Sequence, residues 1–219
     1  LENRMRFALE LLERIRRAVG DKYPVGFRLG AEEFVEGGIT VRDSPAIAQI
    51  LESAGAVYLS VSCGMYETQD KSIDVMRQPE GWKQYIWEAI KRAVHIPVIA
   101  GGGLRTPAFC ERILEDGKAD FIGLARPLLA DPEWPIKARE GRVDDIRPCL
   151  SCEECNHASS MRRQGGGARR CSVNPATGRE REFSELKPAQ VKKNVMVIGG
   201  GPGGMEAARV AAVRGHQVT

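Results

Sequence analysis

Four of the six cysteines of the chain lie in one short segment, CLSCEECNHASSMRRQGGGARRC. The first three occur as Cys149-x₂-Cys152-x₂-Cys155, and fifteen residues separate this triplet from Cys171. A tight triplet with one distant cysteine favours a [4Fe–4S] cluster, because structural zinc sites prefer two separated pairs of ligands. Zinc, with His157 as a substitute ligand, and unliganded thiols stay open as alternatives.

Two other segments have the composition of phosphate-binding loops. In GGGLRTP, Gly101, Gly102 and Gly103 allow backbone N–H groups to approach an anion closely. In GLARPLLADP, Arg126 offers a bidentate, charge-assisted contact. Each segment follows a predicted strand, and the loops after the last two strands of a (β/α)₈ barrel commonly hold a phosphate. Taken singly, each segment is more often a tight turn or a surface arginine than a phosphate site.

A charged residue lies on the first predicted strand, Tyr23–Leu29. Its apolar residues alternate with Gly26 and Arg28, so the two sets occupy opposite faces. In a barrel the apolar set faces the helices, and Arg28 points into the interior at the C-terminal end, where active sites lie. A cation there needs an acceptor. The pyrimidine edge of a flavin would serve, and a structural carboxylate is the alternative.

A second glycine-rich motif lies near the end of the chain, where Gly199, Gly201 and Gly204 form GxGxxG. The motif follows a predicted strand, Val195–Ile198, and opens a helix that runs to about Val213. This is the context in which a helix N-terminus binds the pyrophosphate of a dinucleotide. The acidic residue expected at the end of the next strand falls beyond the sequence, so the ribose contact is not testable.

The elements that must position these residues alternate along the chain. Four strand–helix units within about 140 residues predict a parallel α/β sheet, either doubly wound or half of a (β/α)₈ TIM barrel. Half a barrel leaves two open edges, and the chain starts at Leu1 inside a predicted helix, so we expect an internal fragment of a longer polypeptide. The predicted strands are Tyr23–Leu29, Ala56–Val61, Ile96–Ala100 and Asp120–Leu124, and the predicted helices are Asn3–Val19, Ser44–Ala54, 79–94, Thr106–Gly117 and one that starts at Asp131.

Composition then bounds the organisation. The net charge of +3 is too small to indicate nucleic-acid or membrane binding. Clustered cysteines favour a reducing, cytoplasmic setting. We expect the C-terminal half of a barrel in residues 1–140, a cysteine segment in 141–182, a linker in 183–193 and the start of a Rossmann-like domain in 194–219.

The ordered set of motifs resembles the Old Yellow Enzyme-like iron–sulfur flavoproteins, the group of the 2,4-dienoyl-CoA reductases and trimethylamine dehydrogenases. The resemblance covers all 219 residues. It depends on LENRMRF, GLARPLLADPEW, the cysteine cluster, CSVNPATG and VIGGGPGGMEAA.

The resemblance implies three redox centres. FMN would lie in the barrel, a [4Fe–4S] cluster on the four cysteines, and FAD in the second domain, with NAD(P)H as electron donor. Electrons would pass from FAD through the cluster to FMN and then to the C=C bond of an enoate or 2,4-dienoyl-CoA. An amine dehydrogenase of the same architecture and a zinc-stabilised nucleotide-binding module are the alternatives. By the resemblance Arg28 contacts the FMN ring, and the FMN phosphate contacts Gly102, Gly103, Ala125 and Arg126.

Two departures leave the substrate open. The spacing of the cysteine triplet is similar to that of the trimethylamine dehydrogenase branch, and the fifteen-residue gap before Cys171 is longer than in either branch. Catalytic Tyr and His residues of the family lie partly upstream of Leu1, so we expect the chain alone to be inactive. Tyr66 and Glu67 occupy a substrate-facing loop by resemblance, and Tyr66 is a candidate proton donor, with a surface tyrosine as the alternative.

Overall fold

The computed structural model describes residues 2–157, 169–183 and 185–219. The chain divides into two units. The first consists of Leu1–Glu154 with Cys171–Asn174, and the second of Cys155–Arg170 with Pro175–Thr219. Among the described residues, no helix combines the length and the apolar character that crossing a membrane requires.

The first unit contains a four-stranded parallel sheet. The strands pair in chain order, β1-β2-β3-β4, with no change of direction. A doubly wound sheet reverses its strand order at a switch point, whereas the wall of a barrel adds each strand beside the last, so the observed order favours the barrel. All four predicted strands are present, and each is shorter than predicted: β1 is Phe27–Gly30, β2 Leu59–Ser62, β3 Val98–Gly101 and β4 Phe121–Gly123.

Helices connect these strands, and two predicted boundaries were wrong. The helix predicted over 79–94 starts only at Gln84, because Gly81 adopts a left-handed conformation with φ 70°. The last predicted helix does not start at Asp131, since one short helix ends before that residue and another begins after it. The helices are α1 Glu2–Val19, α2 Ser44–Ser53, α3 Gln69–Ser72, α4 Gln84–Ala93, α5 Pro107–Glu115, α6 Arg126–Ala130 and α7 Trp134–Arg139, and a 3₁₀ turn spans Val143–Asp145.

The two faces of the sheet differ. On the helix-covered face, Val61 and Ala100 are fully buried with their neighbours in the core; each buried aliphatic side chain contributes about 1.5–3 kcal/mol. The opposite face carries Arg28, which is in register with Ser60. Arg28 is exposed while Leu29 beside it is buried, which confirms the predicted alternation of faces.

The second unit contains a short helix α8 (Glu180–Phe183), strand β5 (Asn194–Val195), helix α9 (Pro202–Val213) and strand β6 (Gln217–Val218). Strands β5 and β6 pair in parallel, so β5, α9 and β6 form one βαβ arm. The strand predicted over Val195–Ile198 ends early, and Ile198 is 91% exposed, because the chain turns there into the glycine loop.

Candidate functional site

The glycine turn that follows β3 lies at the C-terminal edge of the sheet. Gly102 and Gly103 have φ of 91° and 69°, a region that favours glycine. A Cβ on Gly102 would lie 2.8 Å from the Lys83 Nζ, and one on Gly103 would lie 3.1 Å from the Asp74 Oδ1. The turn therefore fits closely against charged side chains beneath it, and a Cβ at either glycine would require those side chains to shift.

Arg126 follows β4, the next strand along the sheet. It is the first residue of α6, and Ala125 precedes that helix. Its Nη1 donates to the backbone oxygen of Asp74 at 2.7 Å, and its Nη2 lies 3.4 Å from the Asp74 Oδ2. The side chain is 17% exposed. The structure thus brings Arg126 to the same buried carboxylate that lies under the glycine turn.

Asp74 and Lys83 were not found by the sequence analysis. Their side chains are 5% and 2% exposed, and the Lys83 Nζ lies 3.1 Å from the Asp74 Oδ1. The Trp82 Nε1 donates to the same oxygen at 2.6 Å, so Trp82 also binds the carboxylate. No periodicity marks this polar segment, and the only available signal was an acid and a lysine flanking a Pro- and Gly-containing turn.

Arg28 lies on the open face of β1. Its Nη1 donates to the Ser60 Oγ at 3.3 Å on the adjacent strand. Within the part of the chain that the structure describes, no carboxylate forms an ion pair with Arg28, so the alternative of a structural carboxylate partner receives no support.

The loop after β2 carries Tyr66 and Glu67 at the same edge of the sheet. Tyr66 is 87% exposed. The loop is fixed at Thr68, whose hydroxyl donates to the Glu33 backbone oxygen at 2.8 Å and accepts from the Met65 N–H at 3.0 Å. The loop is held near the end of β1, and Tyr66 on it faces solvent.

The cysteine segment has two arms in the first unit, one with Cys149 and Cys152 and one with Cys171. The Cys152 sulfur lies 3.2 Å from the hydroxyl oxygen of Ser172, next to Cys171. This hydrogen bond lowers the pKa of Cys152. All four cysteines are free thiols. Within the described ranges, however, no three or more His, Cys, Asp or Glu side chains are grouped as a metal site requires.

The bases of the two arms are joined directly. The Arg147 Nη1 donates to the Asn174 Oδ1 at 3.2 Å, and the Asn174 Nδ2 donates to the Leu129 backbone oxygen at 2.8 Å. The backbone N–H of Arg147 also donates to the buried Asp131 carboxylate, at 2.9 Å. Lys137 pairs with Asp131 at 2.7 Å. These contacts fix where each cysteine arm leaves the first unit.

The glycines of the second motif lie in the βαβ arm of the second unit. Gly199 has φ 112°, and Gly201 precedes α9 as its N-cap. A Cβ on Gly204 would lie 1.9 Å from the Gly199 backbone oxygen. Thus the first glycine makes the turn and the third allows the helix to approach it, which are the roles these positions have in dinucleotide-binding arms.

Two relatives in sequence and two solved structures resemble the chain over nearly its whole length. An NADH oxidase of Thermoanaerobacter brockii is 51% identical over 99% of the chain, and a cinnamate reductase of Clostridium sporogenes is 40% identical over 100%. A 2-naphthoyl-CoA reductase complexed with 2-naphthoyl-CoA matches with a TM-score of 0.90 and 35% identity over 99% of the chain. Histamine dehydrogenase from Rhizobium sp. 4-9 matches with a TM-score of 0.84 and 30% identity over 100%.

The chain spans about a third of the length of these proteins, with 33% and 34% of the two relatives and 33% and 31% of the two structures covered. The family of FMN oxidoreductases described as "NADH:flavin oxidoreductase / NADH oxidase family" matches residues 1–145. This range contains the whole parallel sheet, the glycine turn and Arg126. The chain therefore belongs to the NADH:flavin oxidoreductase / NADH oxidase family.

Proposed function

We propose that the polypeptide carrying this chain is an NAD(P)H-dependent oxidoreductase that contains FMN, a [4Fe–4S] cluster and FAD, and that it reduces the C=C bond of an enoate or 2,4-dienoyl-CoA. Its partner is a small-molecule substrate, and we expect no nucleic-acid partner. The observation that carries the proposal is the common location of the glycine turn, Arg126 and Arg28 at one edge of a parallel sheet.

The residues at this edge fit FMN. Gly102 and Gly103 form a cradle that a Cβ would fill, and Arg126 supplies the charge for a phosphate. Arg28 on the open face of the sheet would bind the pyrimidine edge of the ring, which becomes more negative on reduction. With FAD, the [4Fe–4S] cluster and FMN all bound, electrons would pass from FAD through the cluster to FMN, and FMN would supply hydride chemistry.

The cysteine segment suits an iron–sulfur cluster by donor chemistry and spacing. The hydrogen bonds between its arms, at Cys152–Ser172 and Arg147–Asn174, support a common site for Cys149, Cys152 and Cys171. The fourth ligand in the proposal is Cys155. Because the sulfurs are not grouped among the described residues, the cluster depends on the spacing and the arm contacts alone, and zinc is the alternative to test.

In the second unit, the geometry of Gly199, Gly201 and Gly204 supports an adenine dinucleotide at the start of α9. FAD is the proposed ligand. The chain carries one βαβ arm of such a domain, so the proposal concerns the pyrophosphate and not the ribose or the ring.

The substrate class is supported by the two reductases similar to this chain, one for cinnamate and one for 2-naphthoyl-CoA. Both names describe conjugated acids or their thioesters. Tyr66 is the proposed proton donor to the developing enolate, and Glu67 lies beside it. The similarity to histamine dehydrogenase keeps amine oxidation as the second candidate.

The test uses the full gene product that carries this chain, purified without oxygen. About four iron and four sulfide per chain, together with FMN and FAD in the acid extract, are expected. NADH or NADPH should then support reduction of cinnamate or a dienoyl-CoA and not require an amine. Zinc without sulfide would contradict the cluster, and electron release from dimethylamine with no enoate reduction would favour the amine dehydrogenase.

A further inference from the structure

A buried ionic cluster lies beneath the glycine turn. Asp74 and Lys83 are almost fully buried and pair at 3.1 Å. Such a pair contributes little net stability, because desolvation of the two charges offsets their attraction, and well-packed apolar residues often serve equally well. The presence of the Asp74–Lys83 pair is therefore better explained by the residues that it positions than by the stability that it adds.

The Asp74 residue holds the Arg126 guanidinium at two points, through its backbone oxygen at 2.7 Å and its carboxylate at 3.4 Å. These contacts use two of the five N–H donors of an arginine. The remaining donors have no acceptor among the described residues. A guanidinium gripped from one side in this way has its other side available for a planar, bidentate contact with a phosphate.

Lys83 determines the net charge that the cluster presents to a phosphate. One carboxylate and two cations leave a surplus of one positive charge in the Asp74–Lys83–Arg126 cluster. Without the lysine, Asp74 would neutralise Arg126 and repel an incoming phosphate. With the lysine, the carboxylate positions the guanidinium while its charge is balanced from below.

The same segment fixes the glycine turn. The N–H of Gly81 donates to the Gly103 backbone oxygen at 2.9 Å. The Glu80 carboxylate accepts from the N–H groups of Arg105 and Thr106, the latter at 2.7 Å. The turn and the ionic cluster are thus attached to one stretch of chain, so a change in the cluster is transmitted to both halves of the anion site.

We propose that Asp74 and Lys83 form a positioning pair that directs Arg126 and the glycine turn towards the phosphate of the flavin, and so determines selectivity for FMN over unphosphorylated riboflavin. The proposal rests on the flavin site proposed above. Neither residue touches the flavin in this account, because both act through Arg126 and the turn.

The experiment measures dissociation constants of FMN and of riboflavin for the flavin-free full gene product, by quenching of flavin fluorescence. Asp74→Asn keeps the size of the side chain and the backbone contact to Arg126, but removes the charge that orients the guanidinium and pairs with Lys83. The net positive charge of the cluster rises, so weaker FMN binding would report lost orientation of Arg126 and not lost charge. We expect FMN binding to weaken at least about tenfold, equivalent to about 1.4 kcal/mol, with riboflavin binding changed less than about twofold. Lys83→Met should act in the same direction. The double variant Asp74→Asn/Lys83→Met leaves no unpaired buried charge and should also lose the preference for FMN.

The matched control is Asp120→Asn, which alters an ion pair at the other ends of the same strands and should keep the FMN preference. Equal weakening of both flavins in the Asp74 and Lys83 variants would overturn the proposal, since it indicates a structural role. An unchanged preference in the double variant would overturn it as well. If the unaltered protein binds neither flavin, the proposed function itself fails.

Discussion

Carboxylates lie at both ends of the β1–β4 sheet, and Asp74 at one end has different partners from Asp120 and Glu52 at the other. At the N-terminal ends, Asp120 accepts from the Val98 N–H at 2.8 Å and Glu52 accepts from the His95 N–H at 2.8 Å. At the C-terminal ends, Asp74 binds Lys83, Trp82 and Arg126.

Asp120 and Glu52 accept from backbone N–H groups and stay partly exposed. Asp74 is buried and its carboxylate binds side-chain donors, two of them cationic. A carboxylate that accepts from backbone N–H groups completes the local structure. Asp74 instead holds one buried cation, Lys83, and one partly exposed cation, Arg126, at this edge of the sheet. In parallel α/β folds, function is concentrated at the C-terminal ends and stability at the N-terminal ends, and this sheet follows that division in its side-chain contacts.

The largest expected effect comes from Arg126→Ala. Loss of a charge-assisted contact to the phosphate should cost about 2 kcal/mol, or about 30-fold in the FMN dissociation constant. Lys91→Ala removes a cation at the N-terminal ends and is the control. Fluorescence titration of both variants measures the difference, and equal affinities would remove the functional distinction between the two ends.

Glycines at the two ends give the next comparison. Gly102→Ala places a methyl group 2.8 Å from the Lys83 Nζ at a positive φ, whereas Gly117, before β4, also has positive φ but nothing within 4 Å. Backbone strain alone costs about 1–2 kcal/mol, so Gly117→Ala should lose that much. Gly102→Ala should lose more and also weaken FMN binding. Urea unfolding measures the first effect, and matching losses in the two variants would contradict the tight packing of the turn.

A smaller effect concerns acid stability at the N-terminal ends. Burial raises the pKa of Asp120, but hydrogen bonds from Lys91 and the Val98 N–H outweigh it and lower the pKa below its ordinary value. A lowered folded pKa contributes stability above the unfolded pKa of about 3.9, and this contribution disappears as pH falls through the folded value.

Asp120→Asn should therefore be less stable than the unaltered chain at pH 7, by less than about 1 kcal/mol because the pair is partly exposed. Below both pKa values the two proteins should have the same stability. Urea midpoints across the acid range follow this convergence. A gap that persists undiminished in acid would indicate lost packing and not a lost charge.

The smallest expected effect concerns the reactivity of two buried thiols, Cys63 and Cys110. Burial raises the pKa of Cys63 to about 11 and that of Cys110 to about 12. Cys63 directly follows β2, at the functional ends of the strands. At pH 8 neither thiol should react with iodoacetamide in the folded protein, because the thiolate is the nucleophile, and both should react in urea. Mass spectrometry identifies the labelled positions, and labelling of native Cys63 would show that this end of the sheet opens.

Much of this picture could be predicted from sequence, because it depends on local patterns. Apolar spacing located α1, and the alternation of faces on β1 placed Arg28 correctly. The glycine turn after β3 was predicted because glycine composition signals unusual backbone conformations directly. The family assignment supports the barrel interpretation of the strand order, and FMN as the flavin.

The remainder could not be predicted, because it depends on contacts distant in sequence. Arg126 and Asp74 are 52 residues apart, and no local signal connects them. Lys83 lay within the helix predicted over 79–94, but the observed helix starts only at Gln84. The cysteine pattern predicted a metal site, but the described side chains are not grouped as such a site requires, and spacing cannot specify which sulfurs converge. The iron–sulfur cluster, the FAD site and the catalytic role of Tyr66 stay predictions.

The junction of Asn174 with Arg147 and Leu129 has a consequence for chain length. The two cysteine arms are joined at their bases by hydrogen bonds. The length of the chain between the arms therefore does not determine where their bases lie. The entropic cost of a longer loop grows slowly, by about 0.6 kcal/mol for each doubling. The fifteen-residue spacing before Cys171 is therefore a length that evolution can change cheaply, and proteins of this family can differ there without relocating the residues on either side.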